Sequence, residues 1–292
     1  MEGLSALVDG DNSLSNMTPA VTNMNPECES LLEASRKMKA TAKIFSTKSI
    51  TKIECWNVRT LFETGKVSQV KSEFTRYNID ILGLSETRWN TSGETMLTDG
   101  ISVIYSGNEN EEDAHCKGVA FMLSKNAKKA LMEWDPVSER IIRARFRGKQ
   151  KNVTVINVYA PTNNATDEVK QTFYNSLQDT RDNTCSKDLL IILGDMNAKV
   201  GTDNFGVEST MGRNGLGQRN ENGELFLEFC LLNNLCIGGT IFEHKDIHKA
   251  TWISPDRKSK NQIDHITIDK KFKRSLLDVK AMRLLMQIQT TY

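Results

Sequence analysis

Asp-Leu-Leu-Ile-Ile-Leu-Gly-Asp-Met-Asn-Ala-Lys-Val-Gly, residues 188–201, decides how the rest of the chain is read. Its apolar run, 189–193, is unbroken and of strand length, the pattern of a strand buried on both faces with helices over the sheet. The run stops at Gly194. Asp195 and Asn197 follow, two positions apart on one side of the chain where it leaves the sheet. Asp supplies a base or metal ligand, and Asn a donor for a charged oxygen. Gly-Asp-x-Asn also suits a plain turn, because all three residue types favour turn conformations. The other strand ends decide between these readings.

Upstream, 153–159 reads as a strand ending at Tyr159, in a hairpin with 141–146 around Gly148 and Lys149. Thr166 is a plausible N-cap of the helix that follows, with Asp167 and Glu168 in its first turn and Val169, Phe173 and Leu177 at helical spacing. Further back, Ile53, Cys55 and Trp56 lead to a strand end at Asn57. Val67, Val70 and Phe74 recur at helical spacing, and 79–84 is a second apolar strand running into Glu86. Residues 101–105 and 119–123 read as paired strands. Arg143, Arg145 and Arg147 alternate along one strand, and the favoured reading is a solvated outer face. Downstream, 201–217 is a long glycine-bearing loop. Asn222 is read as the cap of a helix with Leu225, Phe226, Phe229 and Leu232 as its buried stripe. A last strand, 262–269, carries Asp264.

Composition sets bounds. With 38 basic against 37 acidic side chains in 292 residues, a wholesale electrostatic coat for a polyanion or membrane is excluded and a local basic patch is not. The nine basic residues within 245–274 are the candidate patch. No run approaches the ~18 apolar residues of a membrane span, and the first residues lack a signal-peptide pattern, so the expectation is an intracellular protein, nuclear or cytoplasmic, without a membrane partner. The six cysteines are scattered, without zinc-type spacing. Residues 1–48 are too poor in apolar periodicity to suggest structure and are read as a disordered leader. The domain is set at 49–283 and a divergent tail at 284–292.

Asn57, Glu86, Tyr159, Asp195, Asn197 and Asp264 thus lie at or near the ends of separate strands, where sheet-based sites collect side chains. The set is rich in oxygen and poor in zinc ligands, which suits Mg²⁺ and phosphoester chemistry. Trp56-Asn57-Val58, Ser85-Glu86-Thr87, Asn157-Val158-Tyr159-Ala160-Pro161, Gly194-Asp195-Met196-Asn197 and Gln262-Ile263-Asp264 follow one another in an order that resembles the endonuclease/exonuclease/phosphatase superfamily. With Thr251-Trp252 and Ser254-Pro255-Asp256, the chain looks most like the apurinic-type endonuclease domain of RTE-type non-LTR retrotransposons and the craniofacial development protein 2 group. The resemblance implies an α/β fold, a four-layer sandwich of two mixed sheets flanked by helices. It also implies Mg²⁺ (or Mn²⁺)-dependent nicking of duplex DNA held through its backbone. Glu86 would hold the metal with support from Asn57, Tyr159 would bond the phosphate, and Asp195 would orient and deprotonate the attacking water. Asn197 would hold phosphate or water, Asp264 would orient a histidine, and Trp252 would pack against nucleic acid.

The match departs from the pattern twice. Arg59 stands where many members carry an acidic residue. The closing Ser-Asp-His motif and final strand of the family are missing, which predicts an unpaired sheet position and impaired catalysis. His265 is a poor substitute, because adjacent strand residues face opposite ways. The competing readings are a silent relic that binds nucleic acid or protein, and an enzyme of the same fold acting on a phospholipid or inositol phosphate.

Overall fold

The computed structural model describes residues 2–8, 44–45, 50–108, 115–254 and 256–283. In chain order the strands are β1 (Glu2–Val8), β2 (Thr51–Asn57), β3 (Ile81–Ser85), β4 (Ser92–Met96), β5 (Ser102–Ser106), β6 (Val119–Leu123), β7 (Leu131–Ser138) and β8 (Ile141–Phe146). They continue with β9 (Val153–Tyr159), β10 (Leu189–Asp195), β11 (Leu235–Ile237), β12 (Trp252–Ile253), β13 (Lys260–Asn261), β14 (Asp264–Asp269) and β15 (Leu276–Arg283). The α-helices are α1 (Lys66–Arg76), α2 (Lys125–Ala130), α3 (Asp167–Asp182) and α4 (Glu221–Leu232). One sheet runs β15-β1-β2-β3-β6-β5-β4 and a second runs β11-β14-β10-β9-β8-β7, while β12 and β13 form a separate ribbon.

Each main sheet contains one parallel neighbour pair, β2 with β3 and β9 with β10, and each pair is bridged by a helix, α1 or α3. Such crossovers send both strands of a pair in the same direction, so their polar ends meet at one edge. The sheets face each other through Ile53, Cys55, Ile81 and Phe121 on one side and Ile142, Val155, Ile191 and Ile266 on the other. On the outer faces, Val70 and Phe74 of α1 cover Trp56 and Leu84, and Phe173, Leu177 and Phe226 cover Ile156 and Ile192. The result is four layers, as the unbroken apolar run of β10 requires, every residue of which is buried. Asn157, fully buried, ties the layers together by donating across the interface to the carbonyls of Leu84 (2.9 Å) and Ala120 (3.1 Å). Gly83 permits that approach, because a Cβ there would run into Leu193 and Asn157.

Four expectations change. Residues 2–8, within the expected leader, form β1, which lies antiparallel between β2 and β15. The reason is backbone valence, since β2 and β15 both present hydrogen-bonding groups that this short segment, Glu-Gly-Leu-Ser-Ala-Leu-Val, can satisfy whatever the composition of the residues after it. The remainder of the expected leader, apart from residues 44–45, lies outside the described residues up to 49, as does the tail 284–292. The Arg143–Arg147 row is not a solvated face. Arg145 is buried in a bidentate pair with Asp188 (2.7 and 3.2 Å), which also accepts from Thr154, and Arg143 donates to the Asn183 carbonyl at the end of α3. The cap of α4 is Asn220, which accepts from Gly223 N, while Asn222 points inward; the buried stripe therefore takes in Leu227 and Cys230, and Leu232 is 74% exposed. Finally, the basic stretch is divided. Arg257, Lys258 and Lys260 are exposed on the β12–β13 ribbon, whereas the 3₁₀ segment Lys270–Ser275 follows the far end of β14, ~17 Å from Asp264 at strand rise.

Candidate active site

At the edge where β2, β3, β9 and β10 end, a cleft of about 240 Å³ is lined by Asn57, Glu86, Asp195, Asn197, Trp252 and Asp264, together with Arg59 and Thr251. Asn57 ends β2 in the first sheet, and its side-chain Oδ1 accepts from Arg59 N (2.9 Å), which turns its Nδ2 toward the carboxylates. That Nδ2 donates to Glu86 Oε1 (2.5 Å) and to Asp195 Oδ2 (2.9 Å), and so joins a residue just beyond β3 to the end of β10 in the other sheet. Asp195 Oδ1 accepts from Asn197 N at 2.9 Å, and Asn197 Nδ2 donates to the Ala160 carbonyl at 2.9 Å. Asp264 lies opposite Asp195 in the β10–β14 register, positioned by Thr251 Oγ1, which accepts from the backbone amides of Ile263 and Asp264. Tyr159 ends β9, half-buried beside Glu86, and Arg140 stacks over its ring at 5.2 Å while donating to its carbonyl.

Glu86 (φ 56°), Asn197 (φ 47°), Arg59 (φ 59°) and Arg88 (φ 58°) all adopt left-handed backbone conformations. Non-glycine residues resist this region, and such strain collects where surrounding contacts over-determine a site. The electrostatics are equally forced. Burial raises the Asp195 carboxyl, and the Glu86 charge adds to that, against the hydrogen bonds from Asn57 and Asn197. Burial, then the charges of Asp195 and Glu86, push Asp264 well above the usual carboxylate range. Burial and the same two acids push the Tyr159 phenol far up, so it is a neutral hydrogen-bonding group. Three carboxyl groups packed this way call for a cation.

The donor set fits a hard ion. Glu86, Asp195 and Asp264 bring carboxyl oxygens to it, and Asp264 Oδ1 is buried without a hydrogen-bond partner among the described residues. Among the described residues no three His, Cys, Asp or Glu side chains are grouped to hold a metal ion between them, so an ion here would take most of its shell from water and phosphate.

None of the four histidines lines the cleft. His265 faces away from Asp264, its Nε2 2.7 Å from the Ala198 carbonyl and its ring on Phe226, and burial pulls it down to about 4. His244 pairs with Asp278 (2.6 Å), His248 packs against His244, and His115 bonds the Arg88 carbonyl. Sequence reasoning missed Thr251, Arg140 and Asn222. Asn222 donates to the Pro161 and Asn197 carbonyls and so holds the loop after Asp195. Thr251 was read only as part of a motif and Asn222 only as a helix cap, because the role of each, like that of Arg140, lies in a contact distant in sequence.

A four-layer sandwich with a carboxylate-lined cleft across the ends of both sheets defines the endonuclease/exonuclease/phosphatase fold, and this chain has it. The AP endonuclease LMAP from Leishmania major superposes with a TM-score of 0.57 at 13% identity over 89% of this chain and 99% of that one. The endonuclease domain of TRAS1, a telomere-specific non-LTR retrotransposon, does so at 0.51 and 12% over 80% and 98%. In sequence, the chain is 38% identical to Craniofacial development protein 2 of Bos taurus over 229 residues, 78% of this chain and 38% of the relative. It is 35% identical to the Tragulus javanicus protein of the same name over 257 residues, 85% of this chain and 44% of the relative. The chain thus spans less than half the length of these relatives. No family model matches.

Proposed function

We propose that the chain is a Mg²⁺- or Mn²⁺-dependent phosphodiesterase of the apurinic-endonuclease type that nicks duplex DNA. The observation that carries this reading is the Asn57 amide held between Glu86, just beyond β3 of one sheet, and Asp195 of the other, in a cleft lined by three carboxyl groups. A divalent cation, bound with Glu86, would supply Lewis-acid stabilisation of charge on the phosphate oxygens. The protein's own residues do the rest. Asp195, oriented by the Asn57 and Asn197 donors, aligns the attacking water and accepts its proton. The Tyr159 hydroxyl and the Asn197 amide hydrogen-bond the phosphate, and Trp252 on its ribbon packs against the nucleic acid beside it. Exposed Arg257, Lys258 and Lys260 on the same ribbon lie ready for neighbouring phosphates.

A second reading, a non-cleaving nucleic-acid or protein binder using the same cleft, is favoured by one observation: all four histidines are placed elsewhere. Lacking a positioned acid/base group typically costs ~10²–10⁴ in rate, so the enzyme reading is of a slow nuclease. Nicking of supercoiled plasmid in Mg²⁺, in chelator, and by Asp195→Ala separates the two. Nicking that chelator stops and Asp195→Ala lowers by at least ~10²-fold is the expected result. A cooperatively melting protein that binds plasmid and never nicks it establishes the second reading.

A further inference from the structure

A second cavity, of about 520 Å³, is one that the mechanism does not use. Its walls are aromatic: Phe62 from the loop after β2, Trp89 three residues past Glu86, Tyr105 on β5, and His115 before β6. The Phe62 ring is 64% exposed and lies on His115, with centroids 4.5 Å apart and planes tilted by 35°. Trp89 meets Tyr105 edge to face at 5.0 Å. Asn90 and Thr91 supply a polar rim. The walls are tied to the cleft, since Leu61 N donates to the Thr87 carbonyl, Arg88 N to that of Lys117, and His115 bonds the carbonyl of Arg88. Arg59, which lines the cleft, comes three residues before Phe62, and Arg88, whose guanidinium is 4.0 Å from Glu86, immediately precedes Trp89.

Trp89 and Tyr105 are half-buried against the core, whereas Phe62 and His115 are exposed, and an exposed aromatic face is costly in water unless something stacks on it. Among the described residues no lining side chain carries a fixed positive charge, so the cavity does not suit a phosphate, while Arg59 and Arg88 do. The three-residue path from Glu86 to Trp89 spans at most ~10 Å, within a few nucleotides of a phosphate in the cleft. A base, having a π-face whatever its identity, matches such a platform.

We propose that this cavity is a stacking subsite for an unpaired nucleobase of the strand in the cleft, with Arg59 and Arg88 on the intervening phosphates. It makes the preferred ligand a duplex carrying an unpaired or single-stranded segment, not a continuous duplex. This rests on the nucleic-acid reading above.

The test is binding in chelator, where cleavage plays no part, using fluorescent oligonucleotides: a blunt duplex, and the same duplex with a single-stranded flap containing 2-aminopurine. The expected result is tighter binding of the flap form and quenched 2-aminopurine. Phe62→Ala should weaken flap binding by roughly 5- to 150-fold, the worth of one stacked base, and restore the fluorescence. Phe205→Ala, removing a 92% exposed aromatic outside both cavities, should do neither. Equal affinity for both ligands, or indifference to Phe62→Ala, overturns the subsite and assigns the cavity another occupant. If plasmid nicking persists in that case, the nuclease reading survives. If neither ligand binds and nothing is nicked, both fall.

Discussion

Asn57 shows how much one side chain can hold. Its single amide group satisfies two carboxylates that would otherwise face each other at close range, one from each sheet. Asn57→Ala should lower nicking by about 10²- to 10³-fold, on the scale of removing one pre-organised donor, and leave DNA affinity in chelator nearly unchanged. An equal fall in affinity and rate would mean that Asn57 serves binding only. Glu54 offers a test independent of the site. It is buried on β2, and burial, opposed by the nearby Lys52 charge, raises its carboxyl from 4.5 to about 7. Between those values the folded chain keeps a proton that the unfolded chain has released, so stability falls as pH rises through this window and the full cost, about 3 kcal/mol, is present above pH 7. Glu54→Gln should flatten urea-unfolding free energy between pH 5 and 8. Identical pH slopes in the two proteins would refute the assignment.

Among the elements, the β12–β13 ribbon and the 3₁₀ segment Lys270–Ser275 share a basic composition and differ in position. Only the ribbon borders the cleft, through Trp252 and Ile253. Lys258→Ala with Lys260→Ala should reduce the slope of log affinity against log salt by about 2, from ~0.9 per phosphate contact. Lys271→Ala with Lys273→Ala should leave that slope unchanged. A loss of slope from the second pair alone would place the nucleic acid at the other end of the molecule. The central strands were legible as strands because β9 is rich in β-branched residues and β10 opens on an unbroken apolar run that must be covered on both faces. β7 was missed, since it contains Pro136 and alternates weakly at a sheet edge. The face of α4 was misjudged because a continuous apolar helix has no strong stripe, and its start is decided by the Asn220 cap.

Across the whole molecule, β1 joins chain segments far apart in sequence, pairing with β2 on one side and β15 on the other. Deleting residues 1–8 should lower Tm by at least about 4 °C, the equivalent of ~2 kcal/mol, and speed amide exchange in β2 and β15. Unchanged melting and exchange would show that the sheet does not depend on it. Among the described residues, no helix is long and apolar enough to cross a membrane. The sequence by itself determined the strand ends, because an apolar run that stops at Asn57, Glu86, Tyr159 or Asp195 must release its polar residue where burial ceases. It also carried the chemical type of the site, since oxygen donors declare themselves by residue identity. Only the tertiary structure decided that these ends meet across two sheets, that β1 occupies the position beside β2, that Arg145 is a buried partner of Asp188, and that Phe62, Trp89, Tyr105 and His115 enclose one cavity. Each of those is a contact between residues remote in sequence, set by packing and backbone hydrogen bonding, and neither has a local period to read.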